Sequence, residues 1–290
     1  MQGGVLKLKE RLGSGEIVIA PGCYDALSAV LIERAGFHAA YLSGASLAYT
    51  KLARPDIGYI GLNEVADTVS AICERTSIPL IVDCDTGFGN ALHTQRTIRL
   101  VEQRGAAAAQ LEDQSFPKRC GHLSDKSLIP QAEMCGKIRA AVDARTNGEF
   151  LIVARTDAIA VEGFDAALQR ADAYLGAGAD VIFVEAPRDE TEMRGIAAHF
   201  VGRAPTLANM VEGGKTPLKN ASELQTMGYS LVIFPGGTVR ALSRCLEEYF
   251  RSLRETGSTD DMRSRMNDFL SLNSMVGTPE TLAKGREYAA

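Results

Sequence analysis

Short runs of apolar and small residues recur along this 290-residue chain, each followed by a polar loop and an amphipathic stretch that closes near glycine. Eight such runs predict strands: IVIA (17–20), AAYLSG (39–44), PLIVDCD (79–85), AAAQLED (107–113), FLIVARTD (150–157), DVIFVEA (180–186), PTLANM (205–210) and LVIFPG (231–236). Between them, "LIERAGF", "VEQRGAA" and "YLGAGAD" read as helix ends, where glycine takes the left-handed conformation that stops a helix. Strands alternating with helices imply βαβ units and a parallel sheet, and eight of them predict an α/β fold closed as a (β/α)₈ TIM barrel. An open doubly wound sheet is the alternative, but no G-x-G-x-x-G follows the first run. Residues 1–257 are thus read as the barrel. Residues 258–290, with "DDMRSRMNDFLSLNSM", are read as a helical arm that a single barrel does not need, suited to contacts between subunits.

In a barrel of this kind chemistry sits at the C-terminal ends of the strands. Nearly every run here ends in a polar group: Tyr41, Ser43 and Gly44; Asp83 and Asp85; Glu112 and Asp113; Arg155 and Asp157; Glu185; Asn209. In "VDCDTGFGN" the period-two alternation puts Asp83 and Asp85 on one face and Cys84 on the other. Two carboxylates so close raise each other's pKa unless a cation joins them, and a hard divalent ion prefers such oxygen ligands. A helix-capping Asp beside a surface Asp is the plainer reading. Arg155 and Glu185 read either as a structural ion pair or as a guanidinium aimed at a carboxylate substrate. His38, His93 and His199 read as surface or packing residues.

The stretch "DQSFPKRCGHLSDK" (113–126) sets Cys120 after Lys118 and Arg119 and before Gly121 and His122, in a loop long enough for a lid. Neighbouring cations predict a thiol pKa below the ordinary value near 8.5. Taken alone, the loop suits a catalytic thiol or an exposed structural cysteine.

"KRCGH" preceded by "QLEDQ" and "DCDTGFGN" resembles the isocitrate lyase/phosphoenolpyruvate mutase superfamily, as do "YLSGA", "RPDIGYIGLNE", "IVARTDAIAVEGFDAALQRADAY" and "LANMVEGGKTP". The similarity runs through most of the chain and is nearest to the branches of 2,3-dimethylmalate lyase, methylisocitrate lyase, oxaloacetate hydrolase and carboxyphosphonoenolpyruvate phosphonomutase. The resemblance implies a barrel whose last helix is exchanged between subunits of a homo-oligomer, a dimer of dimers, and an essential Mg²⁺, with Mn²⁺ as a substitute. It implies that Asp83 and Asp85 serve the metal and Glu112 a metal-held water. Ser43, Gly44 and Ala45 with Tyr41 match the substrate turn, and Asp56 the loop after strand two. Lys118, Gly121, Glu185 and Asn209 match substrate-side positions, and Cys120, His122, Tyr41 and Arg155 catalytic ones.

The chemistry implied is cleavage of a small 2-hydroxy dicarboxylate or tricarboxylate, of the substituted malate or 2-methylisocitrate type. The metal would lower the barrier to the alkoxide, the C2–C3 bond would break, and Cys120 would protonate the departing enolate. Tyr41, or a water near Glu112, is the candidate for taking the hydroxyl proton. "FPGG" (234–237) departs from the "YPLS"-like stretch of several members, and "GHLSDK" from the methylisocitrate lyase lid, which favours a small substituted malate. Phosphonomutase and oxaloacetate hydrolase activities are the alternatives on the same scaffold, and a catalytically silent binding barrel is a third.

Composition narrows the partners. The chain is 46% apolar and 23% charged, with no Trp and a net charge of −5. Its basic residues are scattered among acids, which argues against nucleic acid. Six cysteines without a C-x-x-C pair argue against a disulfide framework or zinc ribbon. No run of about 18 uncharged apolar residues and no cleavable leader pattern is visible, so a cytoplasmic protein without membrane anchorage is expected.

Overall fold

A computed structural model describes residues 3–123 and 125–289, with the side chains of 3–7 left aside. The strands are β1 (Val18–Cys23), β2 (Ala40–Leu42), β3 (Leu80–Asp83), β4 (Ala108–Glu112), β5 (Leu151–Thr156), β6 (Val181–Val184), β7 (Thr206–Asn209) and β8 (Leu231–Phe234). All are parallel, pair in sequence order, and close when β8 pairs with β1. The TIM barrel read from the sequence is therefore the fold. Its strands are covered on both faces, so they appear in the sequence as continuous apolar runs. The exception is β1, which extends three residues past IVIA through Pro21 and Gly22, a pair that reads as a turn.

Helices α1 (Ala26–Arg34), α2 (Leu62–Arg75), α3 (Ala91–Gln103), α4 (Gln131–Ala144), α5 (Phe164–Gly176), α6 (Glu190–Phe200), α7 (Ala221–Met227) and α8 (Gly237–Thr256) follow the eight strands in turn. Side chains start several of them: Asp25 accepts from the Ser28 amide at 2.7 Å and Asn90 from the Leu92 amide at 3.0 Å. The glycines read as helix stops, Gly36, Gly105 and Gly178, all have positive φ. Tyr41, Tyr174, Phe150, Phe183 and Phe200 are the largest wholly buried side chains among the described residues.

The chain divides into two compact units, the first ending at Val239 and the second starting at Arg240. That break precedes the Gly257 boundary expected from the sequence. Gly257 marks only where α8 stops, whereas Val239 is the one buried residue of α8. In the second unit, the rest of α8 is followed by a 3₁₀ turn (Asp260–Arg265) and helices Phe269–Met275 and Thr278–Ala289. Arg265 holds Glu248 at 2.7 Å within it. Among the described residues no helix is long and apolar enough to cross a membrane.

Gly22 marks where the barrel closes most tightly, because a Cβ there would stand 2.1 Å from the Pro235 carbonyl oxygen. Backbone cannot yield as a flexible side chain can. Gly22→Ala should therefore destabilise the protein by about 3 kcal/mol, the upper end of overpacking costs, read as a lowered denaturation midpoint. A midpoint matching the wild type would contradict the close approach.

Candidate active site

Strand register assembles the mouth of the barrel. Asp83 pairs with Gln110 across β3 and β4, and Glu112 with Arg155 across β4 and β5. Asp83 ends β3, and its Oδ1 accepts from the Asp85 amide at 3.1 Å and from Gln110 Nε2 at 3.2 Å. Asp85 then turns back with a φ of +46°, so the two carboxylates meet through a left-handed kink rather than through strand alternation. Asp83 Oδ2 and Asp85 Oδ1 lie 3.1 and 3.3 Å from where a Cβ on Gly44 would stand. A side chain there would press on both acids. Gly44 also donates its amide to Asp83 Oδ2 at 3.2 Å. Ser43 caps the short helix Gly44–Leu47 by accepting from the Ser46 amide, with Ala45 in its first turn. Cys84 is buried in the core, as expected.

Arg155 is saturated by acids. It forks onto Asp157 through Nε at 2.9 Å and Nη2 at 3.0 Å, with Nη1 3.2 Å from Glu112 and Nε 3.6 Å from Glu185. The Phe183 ring lies against the guanidinium, 5.2 Å from its centroid. Asn209 Nδ2 donates to Glu185 Oε2 at 3.0 Å.

The cysteine loop is shut over this mouth. Gln114 holds its start, donating to the Arg119 carbonyl at 2.7 Å and accepting the Arg119 amide at 3.0 Å. Lys118 plunges inward to Asp56 and, at 2.9 Å, to Asp85. His122 Nδ1 accepts from the Lys215 amide at 3.0 Å, which leaves its proton on Nε2, 3.4 Å from Glu185 Oε1. Lys126 binds the Gly121 carbonyl at 2.6 Å.

This geometry reverses the expected state of Cys120. Burial pushes its thiol up, opposed in part by the His122 backbone N–H. The two cations flanking it in sequence face elsewhere, Lys118 into the acids and Arg119 onto Asp125 at 3.3 Å. Burial also pushes His122 down, against the pull of Glu185, so it sits neutral. Tyr41 is not placed as a proton acceptor: its hydroxyl donates to Gln110 Oε1 at 2.7 Å, and burial, then Asp83, pushes its pKa well up.

Sequence reasoning passed over Gln110, Lys126 and the part played by Asp157. Only the pairing of strands and the folding back of the loop reveal them. A cleft of about 590 Å³ lies beside the mouth, lined by Tyr59, Phe88, His93 and Phe116, but it holds none of these acids.

Six buried carboxylates, those of Asp56, Asp83, Asp85, Glu112, Asp157 and Glu185, share three buried cations, Lys118, Lys126 and Arg155. The excess shows in the titration: burial raises Asp85 to about 7 despite Lys118, and raises Glu112 well above its usual range despite Arg155. Asp85 Oδ1, Glu185 Oε1, Asn209 Oδ1 and His122 Nε2 are buried without an aligned hydrogen-bond partner. Among the described residues no three His, Cys, Asp or Glu side chains form a ready-made metal cage. The all-oxygen pair of Asp83 and Asp85 nevertheless fits a hard divalent ion that keeps several waters, with the Lys118 ammonium 2.9 Å from Asp85 Oδ1 as the cation there now. Glu112, held by Gln114 at 2.9 Å and by Arg155, is not aimed as a direct third ligand.

The match to the phosphoenolpyruvate phosphomutase family spans residues 8–254. The chain belongs to that family. Within the isocitrate lyase/PEP mutase superfamily it is similar to 2,3-dimethylmalate lyase of Eubacterium barkeri, 41% identical over 98% of this chain and 97% of the relative. It is also similar to 2-methylisocitrate lyase of Aeropyrum pernix, 46% identical over 94% of this chain and 87% of the relative. Among solved structures, a phosphonopyruvate hydrolase in complex with oxalate and Mg²⁺ superposes with a TM-score of 0.89 and 29% identity, over 99% of both chains. The protein is thus an enzyme of this superfamily.

Closure leaves no room at Gly121, where a Cβ would meet Arg155 Nη2 at 2.5 Å and Glu185 side-chain carbons at 2.6 Å. Gly121→Ala should hold the loop open and lower kcat by about 10²-fold, the cost of a misplaced reacting group, while the melting temperature stays within a few degrees. Wild-type turnover in a folded Ala variant would show that catalysis does not need this closure.

Proposed function

We propose that this enzyme is a Mg²⁺-dependent carbon–carbon lyase that cleaves a small substituted malate to a 2-oxo acid and a second carboxylate. The observation that carries the reading is a half-buried Cys120 whose thiol pKa burial raises, next to Gly121, which the closed loop sets against Arg155 and Glu185. A thiol that stays protonated is a proton donor rather than a nucleophile.

Bound at Asp83 and Asp85, the divalent ion would supply Lewis acidity toward the 2-hydroxyl and its neighbouring carboxylate. The chain does the rest. With Tyr41 committed to Gln110 and Asp85 given to the ion, Glu112, directly or through a water, is the group left to take the hydroxyl proton. As that proton leaves, the C2–C3 bond breaks and its electron pair becomes a carboxylate enolate beside Arg155 and the neutral His122. Cys120 protonates the enolate at carbon, and the thiolate recovers a proton when the site reopens. A dicarboxylate suits the charge balance better than a tricarboxylate, since every buried cation already serves at least one acid.

The test is a panel in Mg²⁺ of 2,3-dimethylmalate, 2-methylisocitrate, isocitrate, oxaloacetate and phosphonopyruvate, with 2-oxo acid and phosphate release followed. The expected result is turnover of the malate-type substrate, abolished by chelator and restored by Mg²⁺ or Mn²⁺. Cys120→Ser should lower kcat on it by about 10²–10⁴-fold with little change in KM. Because the acid form is active and burial raises its pKa, the rate should persist past the ordinary thiol range and fall only as pH rises further. Phosphonopyruvate as the one substrate turned over would overturn the lyase reading, and near-normal kcat in Cys120→Ser its mechanism.

We propose further that the second unit meets a second copy of this chain. Phe250, Phe269, Leu270 and Tyr288 stand between 59% and 80% exposed there, an apolar face that water does not favour, while Met262 of the same segment is buried. Phe269→Ser with Leu270→Ser should lower the assembly mass by sedimentation. An unchanged mass would contradict this.

A further inference from the structure

One buried ammonium in the mouth belongs to none of the roles above. The Lys126 side chain is 1% exposed and comes from the far end of the cysteine loop. Its Nζ lies 2.6 Å from the Gly121 carbonyl and 2.7 Å from Asp157 Oδ1. Asp157 is the same carboxylate that aims Arg155, through 2.9 and 3.0 Å hydrogen bonds. Its own backbone is pinned too: the Asp157 amide donates to Asp113 Oδ1 at 2.9 Å, and Asp113 Oδ2 accepts from the Tyr174 hydroxyl and from Thr156 Oγ1, each at 2.7 Å. The support thus runs from α5 through two buried acids to the peptide next to the reactive cysteine.

We infer that Lys126 is a positioning residue, the latch that holds the loop shut and sets Cys120 against Arg155. An apolar side chain could fill the same space without the large cost of burying an ammonium. An ammonium with three donors ties a lid carbonyl and a barrel carboxylate together at once, with a charge-assisted bond to the acid. Because Asp157 keeps Arg155 when Lys126 withdraws, opening leaves the arginine aimed, and the bond broken is the one that places the cysteine. The latch makes the cysteine's position depend on Asp157, the same acid that aims the arginine.

The inference rests on the site proposed above but not on which bond the enzyme cleaves, and its test is chosen accordingly. Lys126→Met and Lys126→Gln are compared with wild type in the rate at which iodoacetamide labels Cys120 without substrate, read on the Cys120 peptide by mass spectrometry. Lys126→Met should be labelled about tenfold faster or more, the effect of losing hydrogen bonds to a charged group. Lys126→Gln, which can still donate to the Gly121 carbonyl, should fall between. On the best substrate of the panel, kcat should drop in the same order with KM less affected, a pairing that a merely structural lysine would not produce. If Lys126→Met does not fold, Lys126→Gln carries the comparison alone. Wild-type labelling in the folded variants would overturn the latch even with lyase activity intact. A failed substrate panel would leave the labelling result untouched.

Discussion

The site depends on an imbalance: six buried carboxylates at the barrel mouth held by three buried cations. Charges of one sign do not gather in a low-dielectric interior unless something offsets them. Here the offset is uneven. Asp157, though burial alone would raise it, is brought below its usual range by Arg155 and Lys126 and remains a fixed anion. At Asp85 and Glu112 burial outweighs Lys118 and Arg155, and they go the other way. The mouth is thus divided into a permanently charged anchor and a pair of acids that burial holds back from ionising despite Lys118 and Arg155.

That division has a thermodynamic sign. A carboxyl whose folded pKa is depressed, such as Asp157, stabilises the fold above its unfolded pKa, and that contribution is lost as pH falls through the folded value. A carboxyl whose folded pKa is raised, such as Asp85, does the reverse. It costs stability once pH passes its unfolded value, and the cost is fully present above about 7. Most of that cost is burial of the charge, with Asp83 and Asp56 adding to it and Lys118 offsetting part, so a cation that bound Asp85 in its charged form would recover some of it.

The barrel was legible because a parallel sheet covered on both faces writes each strand as an uninterrupted apolar run, and the polar residues at the run ends were already the candidates. Asp83, Asp85, Glu112, Arg155, Glu185 and Asn209 all stand at the mouth as expected. What local sequence misjudged was direction. Lys118 and Arg119 flank Cys120 and promised a depressed pKa, yet Lys118 is drawn to Asp56 and Asp85 and Arg119 to Asp125, so the thiol meets mainly burial. Tyr41 looked like a base until register set it on Gln110. Lys126 was invisible for the same reason: nothing within the loop reveals that its ammonium meets an acid 31 residues further on. Neighbours in sequence state what chemistry is available, and only pairing across the sheet states what it acts upon.

The reversal at Cys120 strengthens its assignment as an acid. A thiolate would be a better nucleophile, but nothing in the proposed cleavage calls for one; the leaving carbanion needs a proton, and the donor must still hold it at working pH. Raising the thiol pKa guarantees that, at the expense of acidity. The enolate of a carboxylate is basic enough at carbon that a weak acid suffices if it is already in place. Placement is what the loop provides. Gly121 admits the backbone to within touching distance of Arg155 and Glu185, His122 locks against the Lys215 amide, and Lys126 ties the intervening peptide to Asp157. The burial that weakens the acid also excludes water, the competing proton source, so the loss in acidity and the gain in selectivity come from the same closure.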